Sequence, residues 1–102
     1  MAIGGGKMPF AKEQVDKSPD KRGVYALYEG NELIYYGHAG GDGVTIRSRL
    51  KSHLAGNDGE CLRRATHYRR EPTERPIVRE KALLEAFRRE NGILPRCNQR
   101  TG

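Results

Sequence analysis

Two short runs rich in β-branched and aromatic residues, GVYALY (Gly23 to Tyr28) and ELIYYG (Glu32 to Gly37), stand on either side of a Gly30-Asn31 pair. Such a spacing reads as a β-hairpin, because the glycine and asparagine supply the backbone conformations that a tight turn needs. A hairpin is antiparallel, so an all-parallel sheet with helical crossovers is disfavoured from the outset. The turn also sets the register. A two-residue Gly30-Asn31 loop puts Tyr25 opposite Tyr36, whereas a three-residue loop centred on Gly30 puts it opposite Tyr35.

After the glycine-rich HAGGDG (His38 to Gly43), Ile46, Leu50 and Leu54 recur every four residues, and Gly56 follows where a helix would stop. This spacing predicts an amphipathic helix. Asp58 is placed to cap a shorter helix through Leu62, and ATHYRRE (Ala65 to Glu71) has the residue types of a third strand. Ile77 to Asn91 is the longest helical stretch, with Leu83, Leu84 and Phe87 on one face, Glu80, Arg88, Arg89 and Glu90 elsewhere, and Asn91-Gly92 as its stop signal. The expected fold class is α+β, a small three-stranded antiparallel sheet flanked by helices. A chain of 102 residues suits one such domain, here residues 21–99. Residues 1–20, with GGG, two prolines and one short helix around Ala11 to Asp16, read as a flexible lead-in without chemistry, and residues 100–102 as a tail.

The net charge of +6 and a sequence pI of about 9.6 suggest an anionic partner. There are 8 basic and 6 acidic residues up to Lys51, and 11 and 7 after it, so the excess is spread over the domain and not gathered into an arm. No apolar run reaches the length of a membrane span or a secretory signal, which disfavours a membrane partner. Cys61 and Cys97 are far apart and lack CxxC partners, and are expected to be reduced thiols of a cytoplasmic protein, with neither a disulfide nor a zinc site.

Four pieces stand in order: Gly23-Val24-Tyr25, Tyr35-Tyr36-Gly37, Arg49 with His53 on one helix, and Glu85 on a later helix followed by Pro95-Arg96-Cys97-Asn98. This order resembles the GIY-YIG nucleases over roughly Gly23 to Asn98. The ending from Leu83-Leu84-Glu85 to Asn98 looks most like the amino-terminal nuclease domain of the bacterial excision-repair endonuclease. The resemblance implies a metal-dependent endonuclease that hydrolyses DNA phosphodiester bonds through a tyrosine, arginine and glutamate site. Two departures stand out: the connection from Gly37 to Arg49 is longer than is typical of the family, and Tyr36 occupies a slot usually held by an aliphatic residue.

The residue chemistry can be read beside that resemblance. Phosphodiester hydrolysis needs an activated water, charge neutralisation at phosphorus and help for the leaving oxygen. Glu85 is a hard oxygen ligand suited to Mg²⁺, with Mn²⁺ as an alternative, and one carboxylate suffices for an ion that keeps most of its waters. Arg49 and His53, four residues apart, project from one side of their helix. The first offers a phosphate clamp and the second a proton carrier near neutral pH. Arg47 and Lys51 supply further positive charge for nucleic acid. Tyr25 and Tyr35 match the family's motif tyrosines, and either phenol could serve as general base. Gly37 permits a close backbone approach or marks a bulge, and Asn98 matches a late family asparagine that braces the site. His38 and Asp42 have the residue types of further ligands or DNA contacts, although such loop residues are more often plain polar surface.

No DNA-reading module is evident, which points to low sequence specificity or to targeting by another protein. The competing readings are a catalytically inactive or partner-dependent nucleic-acid-binding module of the same fold, and a protein-interaction adaptor. A carboxylate in the site speaks against the first, and the charge excess and motif order against the second.

Overall fold

The computed structural model describes residues 2–99; the C-terminal tail expected at 100–102 lies outside them. In chain order the elements are β1 (Met8–Pro9), α1 (Lys12–Val15), β2 (Gly23–Glu29), β3 (Glu32–Ala39), α2 (Ile46–Leu54), α3 (Glu60–Arg63), β4 (His67–Pro72) and α4 (Pro76–Asn91). A 3-10 turn follows at Arg96–Asn98. The α+β class holds. The sheet has four strands where three were expected, all antiparallel, in the order β1-β4-β2-β3. The additional strand is short: Met8 pairs with Tyr68 and Pro9 with His67, at the outer edge of β4.

The hairpin turn has two residues, with Glu29 opposite Glu32 and Gly30 at φ +60°. Yet Tyr25 lies opposite Gly37 and not opposite either tyrosine, because the pairing slips by one residue between Leu27 and Tyr28. A bulge leaves one residue of the longer strand unpaired and re-aims the side chains beyond it. Here Leu27 pairs with Tyr35 and Tyr28 with Leu33, so Ile34 is the extra residue. Ile34 and Tyr35, consecutive in sequence, both pack on one face of the sheet, and Tyr36 packs on the other.

Each face has its own core. On one, Tyr25, Leu27, Ile34 and Tyr68 meet Val15, Ile46, Leu50 and Leu62 from the three shorter helices. On the other, Val24, Ala26, Tyr28 and Tyr36 meet Leu83 of α4, and Ile3 joins them from the N-terminal segment. Residues 2–20 are therefore part of the packed domain, where the sequence reading treated residues 1–20 as a lead-in. Ile3, Val15 and Ser18 are buried, and the Ser18 hydroxyl lies 2.9 Å from that of Tyr68. The segment also closes the start of α2, where the carbonyls of Lys21 and Pro19 accept from the Ile46 and Arg47 N–H groups. Thr45 completes a capping box with Ser48, so the first N–H groups of α2 are satisfied within the protein.

Asp58 does not cap α3; Gly59 occupies that position, and the Asp58 carboxylate accepts from the Ser52 hydroxyl at 3.0 Å. The long helix runs as expected, from Pro76 at its first position to Gly92 in the left-handed conformation at its end.

Cys61 and Cys97 form a disulfide, which corrects the expectation of reduced thiols. The chain returns after α4 so that the final turn packs against α3, bringing the two Cα atoms to 5.8 Å, within bridging range. Spacing along the sequence carried no trace of that return. The bridge also removes the ground on which a cytoplasmic location was expected. Among the described residues no helix is long and apolar enough to cross a membrane.

A cross-link spanning 36 residues restricts the unfolded chain, and on loop-entropy grounds it stabilises the fold by about 3–4 kcal/mol. Reduction with dithiothreitol is expected to lower the urea unfolding midpoint accordingly. A midpoint that does not move would contradict a formed bridge.

Candidate active site

The buried polar centre of the domain is Tyr25. Its strand places it in the middle of the sheet, with β4 on one side and β3 on the other. The ring crosses directly over Gly37: a Cβ at that position would lie 2.5 Å from the phenol oxygen. Gly37 is thus required for a close approach, by a side chain and not by a ligand. Beyond Gly37 the Tyr25 hydroxyl reaches His53 Nε2 at 2.6 Å.

His53 is buried on the inner side of α2 and packs against the rings of Tyr25 and Tyr35, whose centroids lie 5.4 and 5.8 Å from its own and 6.2 Å from each other. Its Nδ1 sits 2.7 Å from Asp58 Oδ2, close enough for charge pairing although the N–H does not point along that line. An acceptor beside Nδ1 favours the proton there and leaves the Nε2 lone pair to accept from Tyr25. The connected set is therefore Asp58, His53 and Tyr25, with Asp58 fixed in turn by Ser52.

The electrostatics follow from burial. Burial pushes the Tyr25 hydroxyl well above the ordinary phenol range, the neighbouring Tyr35 adds to this, and Arg49 opposes it. Burial likewise lowers the pKa of His53; Asp58 works against the shift and Arg49 with it. Partial burial alone would weaken the hold of Arg49 on its proton, but the oxygens of Tyr25, Asp58 and Tyr35 outweigh it and the net shift is upward. Both Tyr25 and His53 are thus held neutral beside a fixed guanidinium.

Arg49 stands where two clefts meet. One, of about 240 Å³, is lined by Tyr35, His38, Val44, Arg49 and Glu80. The other, of about 440 Å³, is lined by Tyr35, Arg49, His53, Asn57, Asp58 and Leu62. The carboxylate in the first cleft is Glu80 and not Glu85. Glu80 is partly buried, and its Oε1 lies 3.0 Å from His38 Nδ1. Glu85, five residues further along α4 and so about 140° around it, is exposed in a shallow depression with Arg88 and Arg89.

Of the residues singled out in the sequence, Tyr25, Tyr35, Gly37, Arg49 and His53 come together, and Glu85 does not join them. Tyr36 faces α4, its ring edge-on to Phe87 at 6.5 Å. Asn98 acts as a brace: its side-chain oxygen accepts from the Tyr36 N–H at 2.9 Å and its amide donates to the Tyr36 carbonyl at 3.0 Å, tying the C-terminal turn to β3. Arg47 donates to the Ser18 carbonyl at 2.9 Å, Lys51 lies 3.5 Å from Asp16, and neither lines either cleft. Asp42 is exposed. Glu80, Asp58 and the pairing role of His38 were missed. For Glu80 a signal existed, since positions 80, 83, 84 and 87 share one helical stripe.

Among the described residues no cluster of three or more histidine, cysteine or acidic side chains gathers as a metal cage. A single carboxylate opening onto a polar cleft beside an arginine nonetheless suits Mg²⁺, which takes one or two protein carboxylates and keeps its waters.

The lowered pKa of His53 makes a pH prediction. The unfolded chain binds this proton more readily than the folded one, so His53 costs no stability above about pH 6.5 and withdraws it as pH falls below that value toward its folded-state pKa. Urea midpoints measured from about pH 7.5 to 5 should therefore fall more steeply for the wild type than for His53→Gln; parallel curves would contradict the assignment.

No family model, curated protein or solved structure matches the chain.

Proposed function

We propose that this protein is a metal-dependent phosphodiesterase that hydrolyses DNA, with a site made of Tyr25, His53, Arg49 and Glu80. The observation that carries the reading is the 2.6 Å contact between the Tyr25 hydroxyl and His53 Nε2, beside Arg49 at the mouth of two clefts. A buried phenol is a poor base on its own, because desolvation disfavours the phenolate. Coupled to a neutral imidazole it becomes a proton relay. Water attacks phosphorus and its proton is taken up by the Tyr25–His53 pair from the side of His53, which lines the larger cleft while buried Tyr25 lines neither, so no free phenolate accumulates. The imidazolium so formed lies 2.7 Å from Asp58 and is stabilised by it. Arg49 presents its guanidinium to the phosphate oxygens, where charge develops in the transition state. The bond from phosphorus to O3′ breaks, that oxygen leaves with the electron pair and takes a proton from solvent, and His53 returns to solvent the proton it gained. The products are a 5′-phosphate and a 3′-hydroxyl.

Glu80 would hold the Mg²⁺ or Mn²⁺, with His38 orienting its carboxylate. When bound there, the ion supplies charge neutralisation to the reacting phosphate. The assignment moves the metal carboxylate from Glu85, where the resemblance to the GIY-YIG nucleases put it, to a residue facing the same cleft as Arg49 and Tyr35. The resemblance in motif order otherwise supports the same chemistry.

Nicking of supercoiled plasmid DNA with Mg²⁺ or Mn²⁺ tests this reading. The wild type is expected to cut. Arg49→Ala, His53→Ala and Glu80→Gln should each lose at least ~100-fold, the scale of removing an electrostatic stabiliser, while the exposed Glu85→Gln stays within about twofold. Loss at Glu85 with Glu80 spared would return the metal to Glu85. A wild type that binds DNA but never cuts it, with either ion, would leave only the binding-module reading.

A further inference from the structure

The cleft that holds Arg49 and Glu80 continues past His38 and Gly40 into a second groove of about 420 Å³. The two share those residues, and their joint is tight: a Cβ on Gly40 would lie 3.1 Å from Pro76 Cγ, at the first residue of α4. The groove differs from the cleft in character. Its lining is mainly apolar, from Pro76, Ile77 and Val78, whereas the cleft is mainly polar. Ile77 is 66% and Val78 62% exposed, and with Ile93 they are the exposed large hydrophobic residues of the described chain.

Isolated exposed apolar side chains are ordinary. Two adjacent β-branched ones that extend a polar cleft are a different arrangement, and here exposed Arg22 and Arg75 also line the groove, outnumbering the single carboxylate of Glu74. An apolar surface for a ring beside guanidinium groups for phosphate is the chemistry of a nucleotide, and apolar side chains at a base step are a recurring means of unstacking it.

We infer that this groove receives the nucleobase next to the scissile phosphate, turned out of its stack against Ile77 and Val78, with Arg22 and Arg75 on the flanking phosphates. The inference rests on the nuclease reading and adds a substrate class to it: duplex DNA with an unpaired or easily unstacked nucleotide beside the cut. Extruding a base costs least where it is already unpaired, so the groove makes the enzyme discriminate by structure without reading sequence.

Fluorescence anisotropy in EDTA, where cleavage is blocked, tests this with two labelled duplexes that differ only in one unpaired nucleotide. Wild type should bind the interrupted duplex ~10-fold more tightly. Ile77→Ser/Val78→Ser should bring the ratio to about one while leaving the urea unfolding midpoint close to that of the wild type, since both side chains are exposed. Arg75→Ala should weaken both duplexes alike. Equal affinity of the wild type for the two duplexes, or a preference that survives the double substitution, overturns the groove and leaves the nuclease reading standing. No binding to either duplex overturns both.

Discussion

The arrangement of this domain depends on one buried phenol. Tyr25 lies across Gly37 with its hydroxyl on His53, so a single side chain fixes the relation between β2, β3 and α2. A methyl group at Gly37 would occupy the space of the Tyr25 ring, and any register other than Tyr25 opposite Gly37 would bring a side chain there. The bulge at Ile34 sets that register, and it also turns Tyr35 toward the Tyr25 side of the sheet and Tyr36 toward α4. Geometry at the site and packing in both cores thus follow from one inserted residue.

A buried imidazole packed against two phenol rings is costly without polar partners, and one of them, a carboxylate beside Nδ1, comes from outside the sheet. Asp58 comes from the loop that follows α2, and that loop leads into α3, which is bridged to the C-terminal turn through Cys61 and Cys97. The same turn carries Asn98, which completes the backbone hydrogen bonds of Tyr36 on the edge strand. The disulfide, Asp58 and Asn98 form one supporting frame behind His53 and β3. At the other end of α2, the N-terminal segment satisfies the first N–H groups of the helix, so positive character in the cleft comes from the Arg49 side chain and not from a helix terminus.

Much of this was legible in the sequence. The hairpin, α2, β4 and α4 followed from residue type and periodicity, and Arg49 and His53 from their four-residue spacing. What was not legible depended on distant returns of the chain. Neither loop length considered for Gly30-Asn31 gave the true register, because a bulge leaves no compositional mark at Ile34. The Cys61–Cys97 bridge joins segments 36 residues apart, and β1 pairs with a strand almost sixty residues later. Glu85 followed from the order of motif residues, while Glu80 was set away from the face of Leu83, Leu84 and Phe87. The helical stripe through positions 80, 83, 84 and 87 pointed to Glu80, about 140° away around the same helix.

The central claim is that a divalent ion belongs beside Glu80 and Arg49, and paramagnetic broadening of the amide spectrum by substoichiometric Mn²⁺ tests it most directly. The account predicts that the amides of His38, Gly40, Arg49 and Glu80, which line one cleft, broaden first and that Glu80→Gln abolishes the effect. Broadening centred on Glu85 and Arg88, or spread evenly over the surface, would contradict it.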